Sequence, residues 1–97
     1  DGLDAAVLVG TDADALDAWA ESVEDATDVP MLSALPVAVR TRVLRRAAIA
    51  AGVPAGALTA AHVSAVDALV VAWRGQGPVS LPGGLEAARA CDRLSFR

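Results

Sequence analysis

A proline at one end and a Gly-x-Pro sequence at the other restrict the middle of this chain to one helix. Pro36 suits a first helical position, where its missing N–H needs no partner, and Gly52 with Pro54 ends the helix after residue 51. Two more helices are predicted from similar signals, over residues 11–26 and 60–73. Ala, Val and Leu dominate the apolar content and aromatic residues make up 3% of the chain, which favours close helix packing.

The C-terminal segment changes pattern. Residues 79–81 and 94–96 alternate apolar and polar side chains, and Pro82 with Gly83 and Gly84 marks a tight turn. We therefore predict a short β-hairpin, although residues 85–90 (LEAARA) are also compatible with a helical turn. The predicted fold class is mainly α: a small bundle of three to four helices with a short C-terminal β-hairpin.

Length and composition suit one domain in a reducing compartment. The chain has 97 residues, within the usual range for a single domain. Its one cysteine excludes a disulfide framework and favours a cytoplasmic location. No apolar run is long enough to cross a bilayer and no signal peptide is visible. Because the chain begins at Asp1, we expect residues 1–10 to be the tail of a linker or helix from a missing N-terminal domain, and 11–97 to be the folded domain.

Charge divides the chain in two. Residues 1–28 carry nine acids and no base, whereas residues 29–97 carry three acids, eight arginines and no lysine. One interpretation is ordinary solvated surface with a GC-rich coding bias. The other is an acidic segment beside an anion-binding face, since arginine makes planar, bidentate contacts to phosphate.

The arginines of the middle helix fall into two groups. At 100° per residue, Arg42, Arg45 and Arg46 lie on the arc opposite the apolar stripe formed by Val39, Val43, Leu44, Ala47 and Ala51. Arg40 projects into the apolar arc, so it should either extend its charged end to solvent or pair with a carboxylate.

No complete active site is visible in the sequence. His62 lies on an apolar helix face, which is more typical of a hydrogen-bonded core residue than of a catalytic one. Cys91 has no feature of a reactive thiol. Trp19 and Trp73 lie on apolar faces and are predicted to be core residues, which leaves no aromatic platform for single-stranded nucleic acid. Neither a phosphate-binding loop nor a nucleophile elbow is present, and neither catalytic nor metal-ligating residues are assigned.

Two stretches carry a family resemblance. They are LPVAVRTRVLRRAAIAAGVP (35–54) and GQGPVSLPGGLEAARACDRLSF (75–96), and DADALDAWA (12–20) adds a third match. In order, the motifs are a Leu-Pro helix start, an arginine-rich helix, Leu-Thr-x-x-His ending at His62, and Leu-Pro-Gly-Gly before a basic strand. This set resembles the substrate-binding domain of bacterial tRNA(Ile)-lysidine synthetases and covers most of residues 11–96.

The resemblance implies a parent ligase whose chemistry lies elsewhere. The family's enzyme has an N-terminal domain with an SGGxDS loop, uses ATP and Mg to adenylate the wobble cytidine of an isoleucine tRNA, and then joins lysine to form lysidine. This chain lacks that loop, so it is expected to hold no cofactor and to be inactive alone. Its implied partners are tRNA(Ile) and its own N-terminal catalytic domain, with no membrane role; a homodimer is left open.

The candidate residues follow from the charge pattern and the resemblance together. The predicted tRNA-binding residues are Arg42, Arg45, Arg46, Arg89 and Arg93. Residues with a structural or dual role are Arg40, His62, Gly83 and Gly84. The alternative is a helical structural or protein-interaction module without a nucleic-acid role, which pairing of the arginines with Asp14, Asp17 and Glu21 would favour. An independent enzyme is the least favoured alternative.

Overall fold

Four α-helices precede a three-stranded antiparallel sheet in the computed structural model, which describes residues 12–97. The elements are α1 Asp12–Ser22, α2 Val29–Ser33, α3 Val37–Ala51, α4 Ala60–Val71, β1 Val79–Ser80, β2 Glu86–Ala90 and β3 Arg93–Phe96, with 3-10 turns at Ala55–Ala57 and Pro82–Gly84. The mainly α prediction is confirmed. The predicted tail over residues 1–10 and the helix start at Thr11 lie outside the described residues.

The predicted hairpin is confirmed and extended by one strand. The turn at Pro82–Gly84 joins β1 to β2 with Val79 opposite Ala87. Residues 85–90, which the sequence also allowed as a helical turn, contain β2, and β2 pairs antiparallel with β3. The strand order is β1-β2-β3.

The segment between the first two predicted helices contains a short helix, Val29–Ser33, that sequence reasoning missed. The first helix ends at Ser22 rather than near residue 26. Asp28 then caps α2, because its carboxylate accepts the N–H of Met31 at 3.3 Å. The backbone around Asp28 also pairs with the free edge of β3, since Val29 N–H donates to Asp92 O at 3.0 Å. This pairing covers an edge that would otherwise be open to association.

Both ends of α3 and the start of α4 follow the sequence signals, whereas α4 ends at Val71, two residues before the predicted end. Pro36 is the N-cap of α3, and Gly52 ends it at a φ of 120°. Thr59 caps α4 by accepting the N–H of His62 at 3.3 Å. Neither α4 nor any other helix within residues 12–97 is both long and apolar enough to cross a membrane.

The core lies between α3, α4 and the sheet. Its most deeply buried large side chains belong to three helices: Leu32 of α2, Val39 and Leu44 of α3, and Leu69 of α4. Ala87 and Leu94 add the inner face of the sheet. Along α3, Ala48 is buried, whereas Ala47, which was predicted to be buried, is partly exposed and Ala51 is exposed.

The prediction that both tryptophans are core residues was wrong. Trp19 is 46% exposed and Trp73 is 37% exposed. α1 packs on α3, and its contributions to the core are Ala20 and the partly buried Leu16, whereas Trp19 is not among the residues packed there. Trp73 lies beyond the last residue of α4, so the helical periodicity that placed it on the inner face no longer applies there.

Candidate nucleic-acid interface

Three of the five predicted RNA-contacting arginines pair with a regularly spaced row of acids. The pairs are Arg42–Asp17 (Nε–Oδ1 2.8 Å), Arg46–Glu21 (Nη1–Oε1 3.7 Å) and Arg93–Asp25 (Nη1–Oδ2 3.0 Å). We call Asp17, Glu21 and Asp25 the acidic row. Residues four apart on a helix share one face, so Asp17 and Glu21 lie side by side on α1. Arg42 and Arg46, also four residues apart, lie side by side on α3, and Arg93 of β3 lies beside Asp25, which follows α1.

These pairs are solvated and weakly held. The side chains of Arg46 and Glu21 are 54% and 61% exposed. Exposed ion pairs contribute about 0–1 kcal/mol each, because water and salt screen them. An incoming phosphate can therefore replace a carboxylate of the acidic row at small energetic cost.

Asp25 is the most strongly fixed member of the acidic row. Its carboxylate accepts the hydroxyl of Thr27 at 2.6 Å and the Thr27 backbone N–H at 3.0 Å. Hydrogen bonds from Thr27 and then from Arg93 stabilise the charged form and lower the pKa of Asp25 from 3.8 to about 2. Asp25 is therefore ionised throughout the neutral range.

Arg45 contacts the segment before α4 rather than α1. Its guanidinium donates to Leu58 O at 2.9 Å and to Ala55 O at 3.2 Å, so it anchors the 3-10 turn before α4. Together with Arg42 it lines a groove of about 390 Å³ between α3 and α4. The opposite wall of this groove includes Asp67. A phosphate there would meet a carboxylate as well as the arginines.

Arg89 is separate from the α3 arginines and closes the end of α4. Its Nη1 donates to Leu69 O at 2.8 Å and its Nε donates to Cys91 O at 2.6 Å. Because the last carbonyls of a helix lack partners within the helix, this contact satisfies one of them. The Arg89 side chain is only 12% exposed.

Arg40 pairs with a carboxylate inside the fold, one of the two outcomes expected for it. Nε and Nη2 both bind Asp67, with Nη2 3.3 Å from Oδ2, and Nη1 donates to Leu35 O at 2.9 Å. The side chains of Arg40 and Asp67 are 8% and 14% exposed. This buried pair joins α3 to α4 and has a clear structural role.

His62 is half-buried and is not a core residue as expected, but it has a local structural role as a helix cap. Its Nδ1 accepts the backbone N–H of Thr59 at 3.0 Å, which completes a reciprocal capping box with the Thr59 hydroxyl. No group of three His, Cys, Asp or Glu side chains within the described part of the chain could hold a metal ion.

Gly83 and Gly84 shape the turn before β2. Both have positive φ, 81° and 77°, which L side chains rarely adopt. A Cβ at Gly83 would lie 2.9 Å from Pro54 Cδ, whereas a Cβ at Gly84 would meet nothing within 4 Å. Only Gly83 is therefore required by close packing as well as by backbone conformation.

The structure thus pairs Arg42, Arg46 and Arg93 with the acidic row, whereas Arg45 and Arg89 bind backbone carbonyls elsewhere. Their contact with RNA stays a prediction. Sequence reasoning missed the exposure of Trp73. The signal available was its position two residues before Gly75, where a helix would already be ending.

Comparison with known proteins gives the family. The model of the TilS substrate binding domain matches residues 28–95. A tRNA(Ile)-lysidine synthase of Thermobifida fusca is 54% identical over 87% of this chain, and one of Streptomyces coelicolor is 52% identical over 95% of it. The synthase of Salinispora tropica is 43% identical over 91%. The chain belongs to the TilS substrate-binding domain family.

The match covers one part of these relatives. The chain spans 28% of the length of the Thermobifida fusca and Streptomyces coelicolor proteins. No solved structure matches it.

Proposed function

We propose that this chain is the tRNA-docking domain of a tRNA(Ile)-lysidine synthetase. In this proposal the parent enzyme is a cytoplasmic ligase that uses ATP, Mg and lysine to convert the wobble cytidine of tRNA(Ile) to lysidine. The chemistry belongs to an N-terminal catalytic domain with an SGGxDS loop, and this chain contributes affinity and orientation. Membership in the substrate-binding domain family supports the proposal. An SGGxDS motif upstream in the full reading frame would test the parent's identity.

The observation that carries the docking role is the set of three ion pairs between arginines and the acidic row. The side chains of Arg46 and Arg93 are 54% and 61% exposed, and each is held by one carboxylate of the acidic row. RNA phosphates are the stronger ligand for such guanidinium groups, because counterions are released when a polyanion binds. The docking step is an exchange in which phosphates replace the carboxylates of the acidic row.

The two ends of one ion pair provide the decisive experiment. Arg46→Gln and Glu21→Gln each break the same 3.7 Å contact between exposed side chains, so both should change stability equally little. Their effects on RNA should be opposite, since the first removes a phosphate ligand and the second removes its competitor. We expect Arg46→Gln to weaken tRNA(Ile) binding and Glu21→Gln to strengthen it, measured by fluorescence anisotropy with labelled tRNA.

A salt series adds a second measurement. Removing one arginine that binds a phosphate should reduce the slope of log K against log salt by about 1. We therefore expect Arg46→Gln combined with Arg93→Gln to reduce the slope by about 2. Arg45 is less suitable for this test, because its bonds to Leu58 O and Ala55 O also hold the loop before α4. If the salt slope is unchanged in the double variant, phosphate docking at Arg46 and Arg93 is refuted.

A structural or protein-interaction module is the second candidate function. The pairing of Asp17 with Arg42 and of Glu21 with Arg46 favours it, since the arginines then neutralise α1. Asp14, the third acid considered for this alternative, has no ion pair among the described residues. Under this alternative Arg46→Gln and Glu21→Gln would lower stability alike and leave tRNA binding unchanged.

A further inference from the structure

An exposed indole with a guanidinium over its ring marks the C-terminal end of α4. Trp73 is 37% exposed, and Arg89 Cζ lies 5.1 Å from the centroid of its ring. This distance is within the range of a cation–π contact. The ring is thus supported by a cation and still accessible to solvent.

Hydrogen bonds hold Arg89 and the segment that follows Trp73 in place. The Arg89 guanidinium is fixed by Leu69 O at 2.8 Å and Cys91 O at 2.6 Å. Gln76 fixes the segment after α4, since its Oε1 accepts the backbone N–H of Arg74 at 2.8 Å. A surface that is already ordered loses little entropy when a ligand binds.

Arg89 also lines a cationic groove. It has a volume of about 260 Å³ and runs between residues 76–78 and the outer face of the sheet. Its lining includes Arg89, Arg97, Gln76 and Ser95 and no Asp or Glu side chain, although Nη2 of Arg89 lies 3.6 Å from Oδ1 of Asp92 outside the lining.

Two further arginines lie close to Trp73 or to Arg89: Arg74 follows Trp73 in the chain, and Arg97 lines the groove together with Arg89. Arg74 is exposed and adjacent to Trp73, and it makes no ion pair with a carboxylate of the described residues. Arg97 is 64% exposed and lies 3.8 Å from Glu86, a weak contact that a phosphate could replace. The exposed indole and the arginines around it therefore favour a ligand with a planar ring and a negative group.

We propose that Trp73, with Arg89 over its ring and Arg74 and Arg97 as nearby cations, is a stacking site for an unpaired RNA base and its phosphate. Unstacked bases of single-stranded RNA bind aromatic rings and arginine planes in this way, whereas bases inside a duplex are already stacked. The proposal rests on RNA being the ligand of this domain, as in the proposed function. It adds a contact to a single-stranded segment, separate from the proposed phosphate contacts of Arg42, Arg46 and Arg93.

Tryptophan fluorescence can test this site directly. The chain has two tryptophans, so Trp19→Phe leaves Trp73 as the only indole reporter. We expect a short single-stranded oligoribonucleotide to quench Trp73 emission, and a blunt-ended RNA duplex of equal length to quench it much less. Trp73→Ala should weaken single-strand binding at least about fivefold, the lower limit for one stacked base. Trp73→Phe should retain most of the affinity, and Trp19→Ala, an exposed tryptophan on α1, serves as the matched control.

The outcomes separate this inference from the proposed function. Equal quenching by both RNA forms, or single-strand affinity unchanged in Trp73→Ala, would overturn the stacking site. If tRNA binding then still depends on Arg46, the proposed docking function is retained without the stacking site. Absence of all RNA binding at low salt would overturn both. An emission change that depends on protein concentration without RNA would assign Trp73 to a contact between copies of the chain and would also overturn the stacking site.

Discussion

Removing the carboxylate of Asp67 should destabilise this domain more than most single substitutions. Asp67 receives Nε and Nη2 of Arg40, and the two side chains are 14% and 8% exposed. Asp67→Asn keeps the shape but leaves the buried guanidinium without a counter-charge. Hydrogen bonds to charged groups contribute about 1.5–3 kcal/mol each, and breaking a buried pair from one side costs about 3–5 kcal/mol.

Urea denaturation followed by circular dichroism can measure this loss. For an m value of about 1.5 kcal/mol/M, 3–5 kcal/mol corresponds to a fall in the midpoint of roughly 2–3 M. The loss would be a large part of the total, because small domains have about 5–15 kcal/mol of stability. Glu21→Gln is the control, since it removes an exposed acid from a 3.7 Å ion pair and should cost no more than about 1 kcal/mol.

A double substitution tests the physical reason. Arg40→Met with Asp67→Leu removes both charges and fills the space with apolar atoms, so we expect its free energy of unfolding to lie within about 1 kcal/mol of the parent chain. If Asp67→Asn costs no more than Glu21→Gln, the pair is solvated and the argument from burial is wrong. If the double variant is as unstable as the single one, packing rather than the unpaired charge explains the loss.

Three other predictions concern the turns and the acidic row. In thermal melts, Gly83→Ala should lower the stability by about 1–3 kcal/mol more than Gly84→Ala does. Both substitutions add strain at a positive φ, but only the first places a Cβ 2.9 Å from Pro54 Cδ. Equal losses of stability would argue against the close contact. Cys91→Gly should raise stability by up to about 1 kcal/mol, since Cys91 has a φ of 54° in the β2–β3 turn; a lower melting temperature would contradict this. The lowered pKa of Asp25 contributes stability that is complete above pH 3.8 and is lost as pH falls through about 2. In a plot of denaturation midpoint against pH, Asp25→Asn should therefore reduce the fall at acid pH. An unchanged fall would refute this prediction.

Local signals determined the helices and turns that they directly mark. Pro36 and Gly52 define α3, and Thr59 defines the start of α4, because capping depends on a few neighbouring residues. The turn at Gly83 was predictable for the same reason. The short helix α2 was missed, since five residues carry too little periodicity and its stability comes partly from backbone pairing between Val29 and Asp92, which precedes β3.

The sequence by itself determined the charge division and the motifs that resemble the family, because both are properties of residue order. Only the tertiary structure decided what each charge and each aromatic ring does. It paired Arg40 with Asp67 inside the fold, and it placed Arg46 beside Glu21 on the surface. It also left Trp73 exposed under Arg89. These partners lie 16 to 27 residues apart in the sequence. Helical periodicity describes one element at a time, so periodicity cannot predict which face of one element contacts another.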